Sequence, residues 1–251
     1  MGAGLVMCPT LHHFLMSMHG FTVWEEWDAQ SYFYQFGVDP ALSPYWCLRT
    51  PAGYKALVVL PQGWSWSPAL AQTFSQVICT WAVRLFARRH PALAAAVLIL
   101  SWIDNFVLLA KAQDGKTDQQ ILALLRVAFQ DTVKSANLVV KLEDKPVLLN
   151  LELDLPHQQY RVSQEWCGGL VSYCKVLDRS RTVTAKKLWQ MAGCFIYFVF
   201  ASGLSFAMLR HTLKTLSVVS QAIHAGHQTW QGKHQAQARV IAEWCDLALH
   251  L

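Results

Sequence analysis

Short apolar runs alternate with polar punctuation along most of the chain, and the period of each run predicts an element. Residues 21–28, FTVWEEWD, are rich in β-branched and aromatic side chains and predict a strand ending on a carboxylate. Residues 45–60 predict a hairpin with its turn at Pro51-Ala52-Gly53. Ser67-Pro68 predicts a helix start, with Ser67 as N-cap and proline at the first helical position. The apolar stripe that follows runs to Arg89 and stops before Pro91.

Residues 97–110 predict two buried strands broken by a tight turn at Asp104-Asn105. Asp118 predicts the cap of a helix to about residue 133, with Ile121, Leu124, Leu125 and Ala128 on one face. Residues 137–155, NLVVKLEDKPVLLNLELDL, predict two short strands with a turn near Asp144-Lys145-Pro146. From Thr184, itself a cap residue, the pattern is helical to the end. A strand-and-helix first part followed by helices predicts an α+β domain with a helical appendage.

Composition sharpens this picture. With 251 residues, 53% of them hydrophobic, the chain can bury a large core, and only 15% charged residues argues against wholesale disorder. The charge is uneven. Residues 1–155 carry 11 Lys+Arg against 12 Asp+Glu, whereas residues 156–251 carry 10 against 4. A basic second part suits either a polyanion-holding lobe or ordinary surface variation. Seven cysteines without CxxC spacing support reduced thiols rather than a zinc ribbon or a disulfide framework. The N-terminal stretch lacks a basic region and a cleavage site, so the protein is expected to be intracellular, cytoplasmic or nuclear, and not secreted. Val6 stands where a myristoylation signal needs Ser or Thr.

Residues 188–209 form a 22-residue run without a formal charge, long enough to cross a bilayer. Gln190, Ser202, Gly203 and Ser205 interrupt it, and Ser202-Gly203 reads as a break between two helices. A membrane protein built on this run is the minority reading beside a pair of packed helices.

The candidate chemistry rests on two aspartates. In SWIDNFVLLA, residues 101–110, Asp104 sits amid apolar neighbours, where an uncompensated charge is costly. Asp28 ends the first strand in a similar setting. Neighbouring strands can bring the two together, and two like charges that close need a proton or a divalent cation between them. Alone, an aspartate in a turn between strands is more often a turn residue. GWSWS lacks the last glycine of a nucleophile elbow, and the ten histidines form no zinc-spaced cluster with cysteine.

Three stretches in order, WDAQSYFYQF, LPQGWSWSPALAQTF and SWIDNFVLLA, resemble motifs A, B and C of a retroelement reverse transcriptase. They are similar to D-L-x-S-x-Y-x-Q-I, L-P-Q-G-x-x-x-S-P-x-x-x-Q and the Y-x-D-D box. YWCLRTPAGYKALVVLPQG resembles the family's palm–fingers hairpin. TLHHFLMSMHGFTVWEEWD is similar to the segment leading into the first catalytic strand. Residues 137–155 resemble the stretch with the motif D lysine and the primer-grip strand. KLWQMAGCFIYFVFASGLSFAMLRHTL is similar to the helical region after the palm in elements of the DIRS-like and trypanosomatid VIPER-like type.

The resemblance implies an α+β fold: a reverse-transcriptase-like palm, an antiparallel sheet with helices on one face, followed by a helical thumb or connection region. The palm with partial fingers would occupy residues 1–165 and the helical region residues 166–251. The implied function is metal-dependent transfer of a nucleotide from a dNTP to a primer 3′-OH on an RNA or DNA template. Asp28 and Asp104 would bind Mg²⁺ or Mn²⁺, helped by the backbone carbonyl after Asp28, with Asn105 beside them. Lys145 matches the motif D lysine, a candidate proton donor to pyrophosphate or else a solvated turn lysine.

Phe33 would close the space that a ribose 2′-OH needs, or is a core residue. Gln62 and Gly63 would meet the incoming nucleotide or the template, and Arg49 or Lys55 would hold its triphosphate. Leu149-Asn150 stands where the family has Leu-Gly in the primer grip, and Asn tolerates left-handed φ. Lys186 and Lys187, with Arg161, Lys175, Arg179 and Arg181, would contact phosphates or form a solvated basic face.

The chain departs from the family in two respects. The second Asp of the Y-x-D-D box is Asn105, a neutral ligand, and its Tyr is Trp102. Only 27 residues precede Asp28, so most of the fingers would be missing, and no RNase H domain fits. These departures imply a segment that works with other parts of a retroelement polyprotein, or a catalytically inactive remnant that at most binds nucleic acid.

Overall fold

A computed structural model describes residues 11–62, 64–144, 147–180, 182–202, 204–235 and 238–248. It is a mixed α+β structure with an antiparallel sheet, and it divides into two compact units. One comprises Met1–Pro146 and Asp154–Gln159, the other Val147–Leu153 and Tyr160–Leu251.

The first unit opens with α1 (Leu11–Ser17) and the strand β1 (Val23–Ala29). A 3-10 turn, Tyr32–Gln35, follows, and after a second one, Pro40–Tyr45, comes the hairpin β2 (Cys47–Thr50) and β3 (Gly53–Ala56). Gly53 takes φ +101°, which its missing Cβ permits, and so lets the chain leave the Pro51-Ala52 turn. Next come α2 (Ser67–Arg89), the hairpin β4 (Val97–Trp102) and β5 (Asn105–Ala110), α3 (Asp118–Ser135) and β6 (Val140–Leu142). The four-stranded sheet has the order β4-β5-β1-β6 and every neighbouring pair in it is antiparallel.

Alternation along the strands decides which side each residue faces. Trp27, Ala29, Ile99, Phe106 and Leu108 point to one face and make a core with Ala71, Ile78, Ala82 and Phe86 of α2 and Ile121, Leu125 and Phe129 of α3. Removing these side chains from water stabilises the unit by roughly 1.5–3 kcal/mol for each large one. Trp24, Glu26 and Asp28 alternate onto the opposite face, as do Leu100 and Trp102. There Phe14 of α1 meets Trp102 edge-on, with ring centroids 5.8 Å apart.

Several local expectations change. Ser67 is the first residue of α2, not its cap, because its hydroxyl donates to the Pro61 carbonyl at 2.5 Å and so ties down the preceding turn. Thr117, not Asp118, caps α3: its hydroxyl accepts the Gln120 amide at 3.3 Å while the Gln120 side chain accepts the Thr117 amide at 3.0 Å. The two-residue turn between β4 and β5 is Ile103-Asp104, and Asn105 already belongs to β5. The two strands expected in residues 137–155 do not pair with each other. β6 pairs with β1, and β7 (Leu151–Asp154) pairs with β8 (Gln159–Val162).

The second unit holds α4 (Gln164–Ser180), β9 (Thr182–Thr184), α5 (Ala185–Ala201), α6 (Arg210–His224), β10 (Lys233–Gln235) and α7 (Ala238–Ala248). The small β9–β10 ladder interrupts a region expected to be wholly helical after Thr184. Thr184 does cap α5, accepting the Lys187 amide at 3.2 Å. Leu170, Leu188, Phe195, Leu209, Leu216 and Trp244 are the centre of a second core, and Phe195 stacks on Trp244 at 5.1 Å. The apolar run 188–209 is divided: α5 stops at Ala201, Ser202 is its C-cap, and a 3-10 turn covers Phe206–Leu209. Among the described residues no helix is long and apolar enough to cross a membrane.

Candidate active site

β1 and β5 lie side by side with Asp28 directly opposite Asn105. One residue on, the Ala29 amide donates to the Asp104 carbonyl at 2.9 Å, so the end of β1 is stitched to the β4–β5 turn. The two aspartates therefore share one corner of the sheet, both half-buried. Burial raises the carboxyl pKa of Asp28, and the neighbouring charge of Asp104 raises it further, followed by Glu143, while Lys141 opposes them. Burial likewise raises Asp104, against a lowering backbone hydrogen bond. The Asn105 amide donates to Asp104 Oδ1 at 3.2 Å.

Three further residues, which the sequence reading left out, belong to this corner. Glu26 lies two positions before Asp28 on the same face and is 5% exposed. Its pKa is pushed up to about 7 by burial, then by the charges of Glu143, Asp28 and Asp104. Lys141 of β6 sits opposite Asp28, with its ammonium 3.5 Å from Glu143. The signal that could have found them is the strand register, which places i and i+2 on one face and cross-strand partners beside them.

The turn that carries Asp104 is held by a buried polar clamp. Gln72 of α2 accepts the Ile103 amide at 2.6 Å and donates to the Ser101 carbonyl at 3.0 Å. The Ser75 hydroxyl donates to the Ile103 carbonyl, and the Tyr32 hydroxyl lies 2.6 Å from Ser75 Oγ. Ile103 itself sits at φ +54°, a left-handed value that a β-branched residue adopts only at a cost. Gln72 is the last glutamine of the motif B resemblance, and Tyr32 lies inside motif A, so parts of both stretches converge on the turn. Gln35 of motif A braces the other side, donating to the Val139 carbonyl at 3.0 Å and accepting the Val139 amide at 2.8 Å.

The remaining predicted residues are spread more widely. Phe33 is in the 3-10 turn after β1, partly buried against the core with its ring 6.4 Å from Tyr32. Gln62 is exposed in the turn before α2. Arg49 is exposed on β2 opposite Tyr54, and no carboxylate pairs with it among the described residues. Gly63 and Lys145 lie outside the described residues, as does Arg181.

In the second unit, Leu149 and Asn150 take φ values of +51° and +63°, a left-handed pair. The Tyr197 hydroxyl donates to the Leu149 carbonyl, and the Ser163 amide donates to the Asn150 carbonyl at 2.8 Å. Lys186 and Lys187 occupy the first turn of α5, where positive charge opposes the helix dipole. The Lys187 ammonium lies 5.0 Å from the Tyr173 ring centre. Arg161 is already paired with Glu152 at 2.6 Å.

Among the described residues no group of three or more His, Cys, Asp or Glu side chains is arranged to hold a metal ion. Two carboxylates of raised pKa remain, a donor set that suits a hard cation completing its shell with water and phosphate oxygens. Compared with known protein families and with curated proteins, the chain matches none.

Proposed function

We propose that this chain is a reverse-transcriptase-like polymerase domain whose reacting groups gather at Asp28 and Asp104. The observation that carries the reading is the placing of both residues at the corner of β1 and the β4–β5 turn, near enough for the charge of Asp104 to raise the pKa of Asp28. Their sequence contexts are the ones that resemble motifs A and C. Asp28 and Asp104 would hold Mg²⁺ or Mn²⁺, which when bound neutralises phosphate charge and lowers the pKa of an attacking hydroxyl. The chain's own residues supply the rest. The clamp of Gln72, Ser75 and Tyr32 fixes the turn, Lys141 offsets charge next to Asp28, and Phe33 offers a bulky ring just after the first strand. Lys186 and Lys187, at a helix N-terminus and without a carboxylate partner among the described residues, suit contacts with a template–primer.

A second reading, a catalytically inactive remnant, draws on Asn105. Its amide donates to Asp104, so the corner has one negative charge fewer than the family's box and one carboxylate oxygen already engaged. Primer extension on poly(rA)/oligo(dT) with Mg²⁺ or Mn²⁺ separates the two. The polymerase reading expects dNTP incorporation that disappears in Asp28→Asn and Asp104→Asn and rises in Asn105→Asp. Absence of incorporation in both the wild-type chain and Asn105→Asp, with folded protein, would leave the remnant.

A further inference from the structure

The outer face of α2 carries a second surface with no part in the corner just described. Val77, Trp81, Arg84 and Arg88 follow one another along this face and are all exposed, Trp81 by 54%. The C-terminal half of the stripe opens on a groove of about 310 Å³ between α2 and α3, walled by Trp81, Arg84, Leu85 and Arg88 on one side and Asp131 on the other. Asp131 is neutralised by Arg89 at 2.7 Å. The hydroxyls of Thr132 and Ser135, also in the groove, donate to carbonyls of their own helix, each at 2.8 Å. Of the charged side chains that line the groove, Arg84 and Arg88 have no ion-pair partner among the described residues.

That arrangement is not explained by the fold. Like charges one turn apart on a helix repel. Arg88, in the last turn, gains from the negative end of the helix dipole, but Arg84 lies a turn further in, where that effect has faded. An exposed indole between two unpaired arginines and a groove likewise gives the core nothing.

We propose that this groove binds single-stranded nucleic acid, with phosphates on Arg84 and Arg88 and a base against the Trp81 indole. A guanidinium fork matches phosphate oxygens bidentately. One helical turn separates the two arginines by about 6 Å along the axis, a step that suits successive phosphates. A flat indole beside a cationic groove is the arrangement that stacks bases without regard to sequence. An acidic peptide would satisfy the arginines and leave Trp81 idle. The surface lies on the helix layer, whereas Asp28 alternates onto the far face of the sheet, so the contact is independent of the polymerase reading.

The test is fluorescence anisotropy of a labelled oligothymidylate with the full chain over a salt series, comparing wild type, R84A/R88A, W81A and K116A. The double variant is expected to bind about tenfold more weakly at low salt and to lose about 1.4 from the salt slope, two single-strand phosphate contacts. W81A is expected to weaken binding with the slope unchanged and to abolish ultraviolet crosslinking to the α2 peptide. K116A, which removes an exposed positive charge away from both the groove and the Asp28 corner, should behave as wild type, and far-ultraviolet circular dichroism should show all variants folded. Unchanged affinity and slope in R84A/R88A would overturn the proposal. So would an equal loss in K116A, or displacement of the oligonucleotide by polyglutamate as readily as by unlabelled oligothymidylate.

Discussion

Gln72 takes the Ile103 amide proton at 2.6 Å and gives its own amide to the Ser101 carbonyl at 3.0 Å, so one side chain of α2 grips both sides of the turn carrying Asp104. Gln72 is fully buried, so replacing it with leucine strands a backbone N–H and a carbonyl away from water. The expected cost is about 2–3 kcal/mol, read as a fall in the urea midpoint with an unchanged slope. Gln72→Glu should not recover it at neutral pH, because a carboxylate can accept from Ile103 but cannot donate to Ser101 and brings a buried charge. A change below about 0.5 kcal/mol in the leucine variant, the range of an ordinary surface substitution, would show that the clamp does not hold the turn.

Glu25 and Arg126 form a two-oxygen ion pair in the first unit. The guanidinium reaches both carboxylate oxygens, Oε2 at 2.6 Å and Oε1 at 3.1 Å, while the Trp27 indole donates to Oε1 at 2.9 Å. The Glu25 side chain is 9% exposed and that of Arg126 41%, so the carboxylate bears the desolvation and the arginine is its compensation. Arg126→Met should therefore destabilise by about 2 kcal/mol, less than a fully buried pair would lose because water reaches the arginine side. Pairing it with Glu25→Gln should restore part of that loss. The check is a double-mutant cycle by chemical denaturation, and strict additivity would deny the coupling.

How far the fold was legible depends on whether the signal is local. β1, β4 and β5 follow from short runs rich in apolar, β-branched and aromatic residues, and α2 from an apolar stripe behind its Ser-Pro start. Cap identity turns on a single residue. Thr117 and Asp118 are both good caps, and only the Gln120 side chain reaching back to Thr117 decides between them. α4 is harder to read because Gly168-Gly169 lies within it and two of its buried positions are Cys167 and Cys174. Pairing between strands is harder still. That β6 joins β1 rather than β7 depends on a partner more than a hundred residues earlier, and Lys141 and Glu143 reach the Asp28 corner only through that pairing. Asp28 and Asp104 were visible because each breaks an apolar run, whereas Glu26, beside Glu25, reads as ordinary strand polarity.

Glu26 makes a prediction about pH. Its ordinary pKa of 4.5 rises to about 7 in the fold, so the folded state keeps a proton that the unfolded chain has lost over that interval. The stability this gives is fully present below pH 4.5 and is lost as pH rises through about 7. Glu26→Gln, which cannot ionise, should be nearly neutral at pH 4 and stabilising by about 3 kcal/mol at pH 8. Urea unfolding at a series of pH values reads the difference directly. A variant with the same pH dependence as wild type would assign the titration to another group.

A divalent cation should act in the opposite sense at the same corner. Asp28 and Asp104 repel each other when both are charged, and burial penalises each charge. A cation that binds between them stabilises only the folded state, by about 1.4 kcal/mol when present at tenfold its dissociation constant. For a chain of this size that is a rise of about 3 °C in Tm. The rise should be seen with Mn²⁺ or Mg²⁺ at pH 8 and shrink as the pH is lowered, because carboxyls of raised pKa take up competing protons sooner than ordinary ones. It should vanish in the Asp28→Asn/Asp104→Asn variant, which ought also to be more stable than wild type in the absence of metal, since it removes two penalised charges. Differential scanning fluorimetry with and without EDTA measures both effects. A metal-dependent shift that survives in the double variant would move the cation to another site, and a double variant no more stable than wild type in EDTA would mean that the two carboxylates do not strain the fold.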